Sequence, residues 1–163
     1  MLVGNPDSFA IWCDAVDSWS TEHFKNGCFS YFIGGTLIWS LNATLDSDIS
    51  LLSVMNCMKG SVEDKILYEL PVSVSYAELS KRAFPGTDSS ATESDYKHLV
   101  AVGSLLDDGH KIFLIESGDD AKLIWSNEKL DSRISEFLLK RGEVQGVVRD
   151  IVDIFEAYQK NNG

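Results

Sequence analysis

Asp107-Asp108-Gly109-His110, with Glu116 shortly beyond, gathers the side chains best suited to chemistry in this chain. Carboxylates beside an imidazole could hold a divalent cation or pass protons in a hydrolysis. The same Asp-Asp-Gly run is also what an ordinary turn ahead of a strand requires, and the turn is the simpler reading. His23 and His98 stand alone, with no nucleophile nearby in sequence, and read as surface or core histidines. Gly34-Gly35 lacks the GxGxxG or GxxxxGKS/T context that cradles phosphate, and suits a hairpin turn. HExxH, GxSxG and paired-cysteine zinc patterns are absent. The residues point to a protein that is not an enzyme and carries no metal or cofactor.

Binding is the alternative to catalysis, and charge gives it a direction. Fourteen Lys and Arg oppose 25 Asp and Glu, a formal net charge of -11. Such a field repels nucleic-acid phosphates and anionic membranes, and speeds encounter with a basic protein. The bland reading is that acidity serves solubility. Four tryptophans could anchor an interface, because aromatic anchors dominate binding energy. Trp12, Trp39 and Trp125 fall in apolar, strand-like stretches and are expected in the core, whereas Trp19 lies in a polar connection and is expected at the surface. The candidate partner-binding residues are therefore Trp19 and the acidic turns Asp107-Asp108 and Asp119-Asp120.

These candidates need a scaffold. Ser8 to Val16 and Cys28 to Ile33 read as strands, and Thr36 to Ser40 returns antiparallel after Gly34-Gly35. Asp46, Ser47 and Asp48 offer cap oxygens for a helix through Ile49, Leu52 and Met55 that Gly60 ends. Short helices are expected within 61–69 and 75–83, then a surface loop over 84–95. Lys97 to Val102 reads as a strand, with a short helix as the alternative. Lys111 to Glu116 and Ala121 to Ser126 flank Ser117-Gly118-Asp119-Asp120 as the clearest hairpin. From Gly142 onward, Val144, Val147, Val148, Ile151, Ile154, Phe155 and Tyr158 trace one helical face. The expected class is α+β: antiparallel β-hairpins, central short helices and a long C-terminal amphipathic helix in a single domain over 1–163.

Length and composition agree with that scaffold. The 163 residues are 44% hydrophobic and 24% charged, enough for a core without disulfide or metal support. Cys13, Cys28 and Cys57 are odd in number and widely spaced, which suits a reducing cytoplasm. No signal peptide is visible, and the apolar stretch Leu99 to Leu106 falls far short of a membrane span.

Three segments carry a further pattern: Gly4, Phe9 and Ala10 in GNPDSFAIWCDAV; Asn26, Gly27, Phe29, Phe32 and Gly35 in NGCFSYFIGGTLIW; and Leu106, Asp107, Gly109, Phe113, Glu116 and Gly118 in SLLDDGHKIFLIESGDDAKLIW. Together they resemble the immunity protein 42 family, whose members accompany bacterial polymorphic toxins, including those of contact-dependent growth inhibition. His110 stands where an aromatic such as Tyr would be expected, and 84–95 has no counterpart in the pattern. The resemblance implies an inhibitor that sequesters a cognate toxin C-terminal domain and has no catalytic residues to carry over. Many such toxins are nucleases with basic clefts, which an acidic inhibitor could occlude. Two other readings stay open: an adaptor subunit of a bacterial complex, and a metal-dependent hydrolase using Asp107, Asp108 and His110.

Overall fold

Runs rich in apolar, aromatic and β-branched residues predict the first strands, and the computed structural model, which describes residues 1–90 and 93–162, bears this out. In chain order the elements are β1 (Leu2–Gly4), β2 (Phe9–Ala15), β3 (Asn26–Ile33), β4 (Thr36–Thr44), α1 (Leu45–Val54), α2 (Asn56–Lys59), α3 (Lys65–Glu69) and α4 (Val72–Ala83). They continue with α5 (Gly103–Asp107), β5 (His110–Ser117), β6 (Asp120–Asn127), β7 (Ser135–Lys140) and α6 (Glu143–Asn162). Both sheets are antiparallel, so the class is α+β. The chain folds as two units, one of residues 1–54, 102–108 and 142–163, the other of 55–101 and 109–141.

The first unit is a four-stranded sheet in the order β1-β2-β3-β4, with α1, α5 and α6 packed on it. Phe9, Ile11, Phe29, Tyr31, Ile33 and Ile38 fill its core. Gly34 and Gly35 turn β3 into β4 with φ of 54° and 80°, a left-handed pair that glycine adopts without strain. Gly27 answers a different demand: a Cβ there would lie 2.0 Å from the Asp14 carbonyl oxygen, beside the bulge between Gly27 and Phe29. Along α6, Val144, Val147, Val148, Ile151 and Phe155 are buried, as expected. Ile154 and Tyr158 are exposed instead, Tyr158 lining a surface hollow with Leu45 and Phe155.

The second unit is the meander β5-β6-β7 with α3 and α4 packed against it. Leu67, Tyr76, Leu79, Phe113, Ile115 and Ile124 form its core. Asp64 caps α3, accepting from the Leu67 N–H at 2.9 Å. Part of the loop expected over 84–95 is seen: Phe84 meets Tyr96 at 6.0 Å between ring centroids, and positions 91 and 92 lie outside the described residues.

Several expectations are corrected. The helix expected to run to Gly60 breaks at Met55, where ψ of 148° is extended, and α2 follows separately. Met55 is buried in that break, so the three-residue recurrence of apolar side chains is met by two short helices. Asp46, Ser47 and Asp48 do not cap α1, which starts at Leu45 directly off β4 and holds them in its first turn. Residues 97–102 make no strand: Leu99 forms one isolated bridge to Phe113, and the Val100 N–H bonds Ile112 O at 2.9 Å. Point contacts satisfy that backbone, after which the chain winds into α5, which the strand reading left out. β1 and β7 are additional strands.

Candidate functional site

Each candidate residue can now be placed on the element that carries it. Asp107 ends α5 and is exposed; Asp108 follows as its C-cap, half-buried, with its N–H bonded to Ser104 O at 3.2 Å. Gly109 then turns with φ of 90°. Asp119 lies in the exposed Gly118-Asp119 turn between β5 and β6, and Asp120, also exposed, opens β6 opposite Ser117. Asp120 holds Lys140 Nζ at 2.7 Å, an ion pair that raises the Lys140 pKa, chiefly through the hydrogen bond itself. Asp107, Asp108 and Trp19 belong to the first unit, Asp119 and Asp120 to the second.

The residues that would serve a hydrolytic site have structural duties. Glu116 is 2% exposed and lies 3.3 Å from Arg141 Nε. His110 opens β5, with its ring nitrogens 3.2 Å from the Asn127 side-chain amide. His98 is buried, and its Nδ1 lies 2.8 Å from Leu114 O. Burial lowers its pKa. Burial likewise pushes the Cys13 and Cys57 thiols up to about 11, which suits inert core cysteines. Among the described residues, no three His, Cys, Asp or Glu side chains converge as a metal site would need.

Trp19 is exposed at 47%, as expected, at the end of a 3-10 turn over Asp17–Trp19. Its carbonyl accepts from the Asn26 side chain at 2.8 Å. Trp19 also lines a shallow depression of about 390 Å³ with Asn26, Leu41, Asn42 and Ala43. The expectation for the other tryptophans is corrected. Trp39 is 49% exposed, and Trp12 and Trp125 are half-buried. Trp39 projects from the sheet face opposite Ile38 and Ser40, which are the buried side of β4. Leu37 and Leu41, exposed at 43% and 47%, accompany it.

That outer face was missed in the sequence, although a signal existed. In TLIWSLNAT the residues Leu37, Trp39 and Leu41 recur at period two, yet Ile38 does not look less apolar than they do. Only a partner for one face can decide between them. Pairing across the strands sets Leu2 opposite Trp12, Trp12 opposite Ser30 and Ser30 opposite Trp39. Ser30, between the two indoles, is fully buried, and its Oγ bonds Trp12 O at 3.2 Å. Trp12 Nε1 in turn donates to Asp14 at 3.0 Å.

Charge is distributed unevenly between the units. The first holds twelve of the 25 Asp and Glu but only three of the 14 Lys and Arg, namely Lys25, Arg149 and Lys160. It therefore carries -9 of the formal -11 and the second unit only -2. No helix among the described residues is long and apolar enough to cross a membrane.

Comparison with known proteins gives concordant results. Residues 1–154 match the family described as immunity protein 42. The crystal structure of CdiI from Burkholderia dolosa AUO158 superposes with a TM-score of 0.89 at 50% sequence identity, covering 94% of this chain and 99% of that one. No curated protein matches the sequence.

Proposed function

Because the chain belongs to the immunity protein 42 family, we propose that it disarms its cognate toxin by holding the toxic domain in a stoichiometric complex. It is an immunity protein that neutralises a contact-dependent growth inhibition toxin. The finer reading concerns how. The toxin C-terminal domain is basic, a nuclease, and is met in the cytoplasm by one immunity domain comprising both units. Carboxylates of the inhibitor occupy its substrate cleft, with Asp107, Asp108, Asp119, Asp120 and Trp19 as the first candidates for contact. Catalysis by the inhibitor is not required, since occlusion is a binding event.

The observation that carries this reading is the surplus of carboxylates, of which the first unit holds the greater share. A field of that sign raises the encounter rate with a cationic cleft and is screened by salt over about 10 Å at 0.1 M. Stopped-flow association with an inactive toxin domain tests it. The rate constant should fall at least tenfold between about 50 and 500 mM salt. A labelled substrate oligonucleotide should also be displaced from the toxin on binding. A salt-independent rate would refute the steering, and a ternary complex with the oligonucleotide would refute occlusion.

A further inference from the structure

No helix among the described residues covers Leu37, Trp39 or Leu41 on the outer face of the four-stranded sheet, and yet that face is aromatic. Two cross-strand rows run over it. Leu2, Trp12, Ser30 and Trp39 form one, and Ala10, Phe32 and Leu37 the next. Leu2, Leu37 and Trp39 are exposed by 43% or more. Soluble proteins rarely leave contiguous apolar surface of this kind open unless something covers it. Tryptophan is also the side chain most enriched where binding energy concentrates.

The border of this face has a second property. β4 ends the sheet order, so no strand pairs with its far side among the described residues. It is nine residues long and contains no Pro, Lys, Arg, Asp or Glu. Edge strands are normally short or guarded by charge and proline, because their free N–H and C=O groups invite another strand. Here charge and proline are missing beside Trp39, and the strand bulges at Leu41 and Asn42, opposite Cys28.

Charge selects the occupant. The unit that carries this face has a net -9 from its side chains, and its three Lys and Arg residues, Lys25, Arg149 and Lys160, all lie outside β1–β4. A second copy of the chain would bring the same surplus of negative charge against it and be repelled. A basic partner would be attracted. Asp17, in the turn that presents Trp19, supplies a carboxylate on this unit, while Asp14, beside Trp12, is held by the N-terminal ammonium of Met1 and contributes less.

We propose that this face, from Trp12 across to the β4 edge, is where the toxin domain docks, with Trp39 and Leu37 as apolar anchors and the unit's carboxylates meeting the toxin's Lys and Arg. The assignment rests on the immunity reading above and moves the interface centre from the acidic turns to the sheet. Cys28 lies on the same face, opposite Asp14, and is half-buried, whereas Cys13 and Cys57 are buried. It is therefore a reporter that needs no substitution.

The test uses the full chain and an inactive cognate toxin domain. Wild-type protein should bind, and Trp39→Ala and Leu37→Ser should each weaken the affinity at least tenfold with unchanged circular dichroism and melting temperature. Leu41→Lys provides a third variant at an exposed position should either of those fail to fold. In wild-type protein, alkylation of Cys28 should slow at least fivefold when the toxin domain is added. Failure of the wild type to bind would defeat the immunity reading itself. Binding by the wild type with unchanged variant affinities and unprotected Cys28 would overturn only the docking surface. Sedimentation showing a wild-type dimer that Trp39→Ala dissolves, with toxin affinity intact, would give the face to a second copy and overturn the proposal as well.

Discussion

Arg141, at the end of β7, reaches Glu116 on β5 with its Nε 3.3 Å from a carboxylate that has almost no contact with solvent. The same guanidinium bonds Glu63, the Gly118 carbonyl at 3.0 Å and the Ser61 hydroxyl at 3.1 Å. One side chain thus ties the β5–β6 turn to the segment ahead of α3. Removing it takes the guanidinium away from a buried negative charge, which costs more than the net value of the pair. Arg141→Ala should lower unfolding free energy by about 3 kcal/mol in urea denaturation. Adding Glu116→Gln should recover part of that loss. A cost below about 1 kcal/mol would show that water replaces the guanidinium.

His98 makes stability depend on pH. Its ring is buried, Nδ1–H donates to Leu114 O at 2.8 Å, and Nε2 is buried without a hydrogen-bond partner among the described residues. Burial lowers its pKa, with Lys97 adding to the effect, while the bond to Leu114 and the charges of Asp64 and Asp95 oppose it. In the window between the lowered value and the unfolded value of about 6.5, the unfolded chain binds the extra proton. The contribution is present above that window and is lost as pH falls through it. Urea midpoints measured from pH 8 to pH 5 should drop, and His98→Gln should flatten the drop. Identical slopes for the two proteins would remove His98 from the account.

What could be read in advance followed from local chemistry. Gly34-Gly35 and Gly118-Asp119 set hairpins because turn residues act on their immediate neighbours. The face of α6 was legible because Val144, Val148, Ile151 and Phe155 repeat at the helical period over many turns. Trp39 was misplaced because period two defines two faces without saying which is covered, and bulk suggested the core. In the event Ser40 is buried and Trp39 is not. The Glu116–Arg141 pair was invisible for a similar reason, since only the three-stranded sheet brings the ends of β5 and β7 together. Glu116 accordingly looked like a candidate acid. Lys122 repeats the lesson, a buried cation satisfied by Tyr68 O at 2.6 Å from a different element.

Asp48 should be a liability at neutral pH. It is buried in α1, one oxygen accepts the Ser104 N–H at 3.2 Å, and the other has no hydrogen-bond partner among the described residues. Burial raises its pKa above the usual carboxylate value, the charge of Asp107 adds to this, and bonds from Ser104 and Gly103 oppose it. A raised folded pKa means the contribution is favourable below the unfolded value and is lost as pH rises through the folded one. Asp48→Asn should therefore raise the melting temperature at pH 7, with the gain shrinking toward pH 4. A lower melting temperature at pH 7 would mean that the ionised carboxylate is stabilising where it lies.

The acidic turns can be separated by the net charge of the unit that carries them. Lys140 already holds Asp120 at 2.7 Å, so that carboxylate presents less net charge to a partner. Asp107 and Asp108 belong to the unit that holds most of the surplus. Asp107→Asn with Asp108→Asn should slow toxin association roughly threefold at low salt, while Asp120→Asn should change it less. Lys140→Ala should act in the opposite sense, because it releases the Asp120 charge. All of these effects should fade above about 0.5 M salt, where the Debye length falls to a few ångströms. Stopped-flow traces of each variant against the same toxin domain give the comparison. If the paired Asn variants slow association equally at low and high salt, Asp107 and Asp108 act through contact and not through the field. If they change nothing, the turns lie outside the path of approach, and the aromatic sheet face alone is left to receive the partner.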